Sequence, residues 1–110
     1  MLSFKEGVLM FNLQPQLVLG LLSIYSVFKD YGYDCTVTSL SDSLHSVRSL
    51  HYSGYAVDLR IKHISSRADV VAIGFDLRKA LGSNFDVVLE VDHIHVEYDP
   101  KIKEKSNVSQ

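Results

Sequence analysis

A small single-domain α+β protein, with two main helices packed on a largely antiparallel sheet, is predicted from three observations. The chain has 110 residues, of which 46% are hydrophobic, the size and composition of one domain around one core. Two stretches carry apolar residues at helical spacing, while several short runs are β-branched or alternate with period two. The order is helix, strand, loop, strand, helix, strands, without internal repeats, and this segregates the elements instead of alternating them as a parallel βαβ sheet would. The domain is expected over residues 1–100, followed by a loose tail, "KIKEKSNVSQ", over 101–110.

The first helix is expected at about residues 14–31. Pro15 suits a first turn, where a missing N–H is tolerated, and Leu17, Leu21, Ile24, Tyr25 and Phe28 follow before Gly32 ends the pattern. Its aromatic residues are read as core. "CTVTS" is a short β-branched strand leading into a polar segment, "LSDSLHSVRS", that has no clear period. From Tyr55 to Ile61 the residues alternate, with Ala56, Asp58 and Arg60 on one side and Tyr55, Val57, Leu59 and Ile61 on the other. A strand there aims Asp58 away from the apolar face. "SSRADVVAIGFDLRKALG" starts with a serine cap, has helical spacing and closes at Gly82. "FDVVLEVDHIHVEYD" is read as two strands or as one with a bulge.

Composition removes several classes of function. The formal charge is −2, with eleven basic and thirteen acidic residues intermixed, so neither a nucleic-acid backbone nor an anionic membrane surface meets a basic field. Cys35 is the one cysteine, which excludes an internal disulfide and a CxxC pair and suits a reducing cytosol. The most apolar window, "LVLGLLSIYSVF", is shorter than the roughly 20 residues of a membrane-spanning helix and is interrupted by Ser23 and Ser26. The N-terminus lacks the pattern of a secretory signal, and a monomer made in the cytoplasm is expected.

Four of the five histidines fall in two clusters, His45 with His51 and His93 with His95, and both clusters contain carboxylates. A catalytic zinc site takes three protein ligands from His and Asp/Glu and leaves a fourth position open. His51 and Asp58 can supply two ligands if the chain turns tightly at Gly54. His93 and His95, two apart in a strand, project from one face and offer a third. Taken alone, a His-x-His in a strand is more often an exposed polar face, a Gly-x-Ala before an Asp is more often a turn, and Glu90 and Asp92 are solvated by default. His63 stands outside both clusters and is given no role.

Together, S-x-H-x-x-G-x-A-x-D over Ser49–Asp58 and D-x-x-H-x-E over Asp92–Glu97 resemble the zinc peptidases that cut peptidoglycan peptides. These are the D-Ala-D-Ala carboxypeptidases and the L-alanyl-D-glutamate endopeptidases of bacteria and phage lysins. The run "HSVRSLHYSGYAVDL", with "HIH" near the end, is also similar to the zinc-bearing signalling domain of hedgehog proteins, which shares that fold. The resemblance covers about residues 35–98.

It implies Zn2+ held by His51, Asp58 and His95, with His93 and His45 lining the site and donating hydrogen bonds to a developing oxyanion. The catalytic carboxylate three residues before the last ligand falls on Asp92. The rival frame, E-x-x-H, makes Glu90 the carboxylate and His93 the ligand. In an unbroken strand Asp92 would point away from His95, so the first frame requires a bulge or irregular start near residue 92. Relatives that grip a terminal carboxylate carry an arginine ahead of the first motif, where this chain reads "VTSLSDS"; Arg48 is its nearest substitute, and with Ser49 it is expected at the substrate. The activity implied is hydrolysis of a bond in the peptidoglycan stem peptide, performed on the cell wall by a phage-released, virion-associated or bacterial enzyme. The alternative is a non-catalytic zinc domain of the same fold that binds a partner.

Overall fold

The computed structural model describes residues 1–5, 15–41 and 56–100. Within them the chain runs β1 (Leu2–Phe4), α1 (Pro15–Asp30), β2 (Cys35–Ser41), β3 (Ala56–Arg60), α2 (Arg67–Leu81), β4 (Phe85–Leu89) and β5 (His93–Tyr98). The strands form one sheet in the order β1-β2-β3-β5-β4. Only the β1–β2 pair is parallel; the other three pairs are antiparallel. The fold is therefore α+β, with two helices on a mostly antiparallel sheet. No described helix is long and apolar enough to cross a membrane.

Each boundary has a local cause. Helix α1 ends in a Schellman turn: Gly32 adopts φ 82°, its N–H reaches Lys29 O at 2.9 Å, and the Tyr33 N–H reaches Phe28 O at 3.0 Å. A left-handed residue there favours glycine, which has no Cβ to clash. Helix α2 starts where the Ser66 side chain accepts from the Asp69 N–H at 3.1 Å, with Asp69 in the first turn and Arg78 and Lys79 in the last, the signs that suit the helix dipole. The last apolar stretch is two strands, β4 and β5, joined through residues 90–92, where the Glu90 N–H donates to His93 O at 2.8 Å.

Alternation assigns the two faces of the sheet. Cys35, Val37, Val57, Leu59, Val87, Ile94 and Val96 point to one side and form a core with Leu17, Leu21, Ile24 and Phe28 of α1 and Val70, Ile73 and Leu77 of α2. Gly74 lets α2 approach β4: a Cβ there would lie 2.8 Å from Leu89 Cδ2. The helices are tied at one end by Tyr31 and Tyr33, whose hydroxyls donate to Asp76 and Asp69, both at 2.6 Å.

One expectation changes, one element is new, and one expectation is met in a particular form. Tyr25 is half-buried, not core, because the buried stripe of α1 runs through Leu17, Gly20, Leu21, Ile24, Val27 and Phe28 and places Tyr25 on its margin, with Lys29 Nζ 6.0 Å from its ring. Strand β1 was not anticipated; its three residues are too few for any period to register. The irregularity expected near residue 92 is the hairpin turn itself. The bulge lies in β2, where Val37 pairs with Leu59 and Ser39 with Asp58, leaving Thr38 as the extra residue.

Candidate functional site

The sheet face opposite the helices carries the chemistry. Asp58 in β3 is the cross-strand partner of His95 in β5, and Arg60 is the partner of His93. Directly opposed side chains on one sheet face stand within contact distance, and here the contact is polar. His95 Nδ1 lies 2.8 Å from Asp58 Oδ1, and His93 Nε2 lies 3.6 Å from the same oxygen. Two imidazoles from one strand thus converge on one carboxylate oxygen of the next.

Each ring is also held from behind. His93 Nδ1 is 2.7 Å from Asp92 Oδ1, and His95 Nε2 is 3.2 Å from Glu97 Oε1. The backbone of Asp58 is fixed by Thr38, whose hydroxyl donates to its carbonyl at 3.4 Å. The bulge is therefore seated against the residue on which the site centres.

These contacts set the protonation states. Burial of the His95 ring opposes its charging, but hydrogen bonds to Asp58 and Glu97 and their negative charge outweigh that, and its pKa is raised above the ordinary 6.5. The Asp92 carboxyl is held below its usual range: the hydrogen bond from His93 outweighs the opposing desolvation, and the charge of His93, a backbone hydrogen bond and the charge of Lys62 add to it. Asp92 is an ionised acceptor at neutral pH.

A cavity of about 190 Å³ opens beside this cluster, lined by Asp58, Asp92 and His93 together with Lys5, Thr38, Arg60 and Lys62. On the other flank, His95 and Glu97 border a broader depression of about 590 Å³ with Arg78, Asp86 and Val88. Of the two carboxylates weighed for proton transfer, Asp92 lines the cavity with Asp58 and His93, whereas Glu90 is exposed in the hairpin turn and is not among the lining residues.

His51, His45, Arg48 and Ser49 lie outside the described residues, as do the segment 42–55 and the tail 101–110. Among the described residues no group of three or more His, Cys, Asp or Glu side chains is arranged to hold a metal ion. The donor chemistry of those described does suit one. An imidazole and a carboxylate from adjacent strands meet, and the far nitrogen of the ring is hydrogen-bonded to a second carboxylate, the outer support that metal-ligating histidines carry.

His63 is engaged elsewhere, with Nε2 2.8 Å from Asp34 O. Cys35 is fully buried, and burial pushes its thiol up to about 12. Glu97, Thr38, Lys5, Arg60 and Lys62 were not singled out from sequence as site residues. Glu97 had a signal, since it follows His95 by two in a strand and must share its face; Lys5 and Thr38 had none. No family model, curated protein or solved structure matches this chain.

Proposed function

We propose that this chain is a zinc-dependent peptidase of the D-Ala-D-Ala carboxypeptidase and L-alanyl-D-glutamate endopeptidase type, with their hedgehog-like fold, hydrolysing a bond in the peptidoglycan stem peptide. The observation that carries the reading is the contact between His95 Nδ1 and Asp58 Oδ1 at 2.8 Å, with Asp92 lining the adjoining cavity. These are the positions that the two gapped motifs require to meet, 37 residues apart in sequence.

His51, Asp58 and His95 would hold the ion. When bound, zinc supplies Lewis acidity toward the scissile carbonyl and a water acidified to near neutrality. Asp92, kept ionised by His93, accepts the proton of the attacking water and returns it to the leaving amine. His93 has Nδ1 engaged by Asp92, so Nε2 is the ring atom that faces Asp58 and the one placed to hydrogen-bond an oxyanion. Glu97 fixes the rotation of the His95 ring, and Thr38 fixes the strand carrying Asp58.

Metal analysis and digestion of purified peptidoglycan test the reading together. One zinc per chain with release of new amino termini is the expected result, and mass spectrometry of the products identifies the bond cut. Stoichiometric zinc without new termini assigns the chain to partner binding. Protein that neither contains zinc nor takes it up removes the metal reading.

A further inference from the structure

Among the described residues β4 is an edge of the sheet, and the backbone groups on its outer side follow from the ladder on its inner side. The Asp99 N–H donates to Asn84 O at 2.7 Å and the Glu90 N–H to His93 O at 2.8 Å, at either end of the β4–β5 pairing. Hydrogen-bonded pairs alternate along an antiparallel ladder, so Asp86 and Val88 bond to β5 while Phe85, Val87 and Leu89 turn their backbone groups outward. Two of these groups are engaged: the Phe85 N–H by Gly82 O at 3.2 Å, and Val87 O by Arg78, whose Nε and Nη2 donate at 3.3 and 3.0 Å. The N–H groups of Val87 and Leu89 and the carbonyls of Phe85 and Leu89 have no backbone partner among the described residues.

The two flanks of this edge differ in chemistry. On the helix side α2 runs along β4: Arg78 reaches Val87 O, and Gly74 abuts Leu89. Val71, Phe75 and Arg78 recur at three- and four-residue spacing and so share one helix face, which places Val71 and Phe75, both exposed, in a stripe along the edge. On the other side Val88 is exposed, and Asp86 stands directly opposite Glu97, with both residues bordering the depression of about 590 Å³. Two opposed carboxylates favour a cation beside them.

We infer that the β4 edge docks an extended segment of a partner protein as an added strand, its alternate residues apolar toward Val71 and Phe75 and basic toward Asp86 and Glu97. Main-chain bonds to Phe85, Val87 and Leu89 supply the binding, and the two flanks supply the selectivity. Lysine suits the carboxylate face doubly, since its stem covers Val88 while its ammonium reaches the acids. A second copy of this chain is a poorer occupant. Antiparallel self-pairing about Val87 needs the carbonyl that Arg78 holds, and self-pairing about Val88 sets Asp86 against Glu90 of the other copy, like charges directly opposed. Neither zinc nor hydrolysis enters this contact, which stands or falls apart from the peptidase reading.

The probe is a heptapeptide of L-residues alternating lysine and valine, blocked at both ends and titrated to millimolar concentration into isotope-labelled protein, with NMR shifts and amide hydrogen exchange as readouts. Saturable slowing of exchange at the Val87 and Leu89 N–H groups is expected. Methylating the peptide's amide nitrogens at the lysines or at the valines blocks opposite edges of the peptide, and one of the two versions should bind no longer. Glutamate in place of lysine should weaken binding about two- to fivefold, the range of a cross-strand charge pair, and Asp86→Lys should reverse that preference. Phe75→Ser, at an exposed position, should weaken both peptides alike. Absence of binding, protection elsewhere than at β4, or equal binding of the two methylated peptides overturns the inference. So does concentration-dependent protection of the same amides without peptide, with dimers in sedimentation, which gives the edge to a second copy.

Discussion

Glu97 stands two residues along β5 from His95, and its Oε1 lies 3.2 Å from the ring's Nε2, so the histidine is clasped between two carboxylates, one on its own strand and one on the next. Removing an outer-shell partner of a metal ligand typically weakens the metal about 10- to 100-fold. Glu97→Ala is therefore expected to lose zinc affinity by that factor in competition with a chelator. It should also lower the pKa of His95 in the metal-free protein, measured by NMR titration. Unchanged affinity and pKa would mean that Glu97 is only a neighbour.

The raised pKa of His95 has two consequences of opposite sign. In metal-free protein the protonated ring is stabilised by folding, so its contribution is complete below the unfolded value of 6.5 and is lost as pH rises through the higher folded value. The stability gap between wild type and His95→Gln should thus narrow with increasing pH in urea melts stepped upward from below 6.5. Zinc needs the neutral ring, so its affinity should rise over the same interval with release of protons. Asp92, with a depressed pKa, stabilises above its unfolded value of 3.8 and loses that contribution only as pH falls through its lower folded value, outside this window.

Asp92 and Glu90 differ in placement, and substitution separates them. Asp92→Asn keeps the size of the side chain but removes the proton acceptor, and turnover is expected to fall by about 10²–10⁴-fold with zinc content retained. Glu90→Ala, in the exposed turn, should leave turnover within a factor of about two of wild type, since surface changes of this kind are worth little. The reverse pattern would select the frame with Glu90 as the base and His93 as ligand.

Ile94 lies between the two histidines and is fully buried on the opposite face. Ile94→Ala should destabilise the fold by about 2–5 kcal/mol in chemical denaturation. Because the cavity it leaves loosens β5, zinc affinity should fall with it. A stable variant with intact affinity would show that the site tolerates repacking beneath it.

With its thiol pushed up to about 12 by burial, Cys35 should resist alkylation in the native protein at pH 8 and react on unfolding. Its labelling rate then serves as a probe of global opening. Fast labelling under native conditions would contradict the packing of β2 against α1.

The two helices and the central strands were legible because each carries its own local instruction: the serine cap before Arg67, the glycine after Asp30, and the alternation through Asp58 and through His93 and His95. That last period also placed both rings on one face, where they meet Asp58. Tyr25 misled because its spacing is one helical step off the centre of the buried stripe. Strand β1 was illegible because it gains its structure from β2, 33 residues away. The same holds for the cations at 5, 60 and 62: sequence separates Lys5 from the others, and only the order of strands in the sheet unites them.

Thr38 is surplus to the ladder. Val37 and Ser39 already take consecutive partners, Leu59 and Asp58, so a β2 one residue shorter would pair without interruption and keep Cys35 and Val37 turned inward. What the supernumerary threonine contributes is curvature, since a bulge bends and coils its strand, and it does so at the one aspartate that both imidazoles address. Deleting it would leave scaffolding and hydrophobic interior in register while flattening the working surface, which divorces the tool from its handle within a single codon.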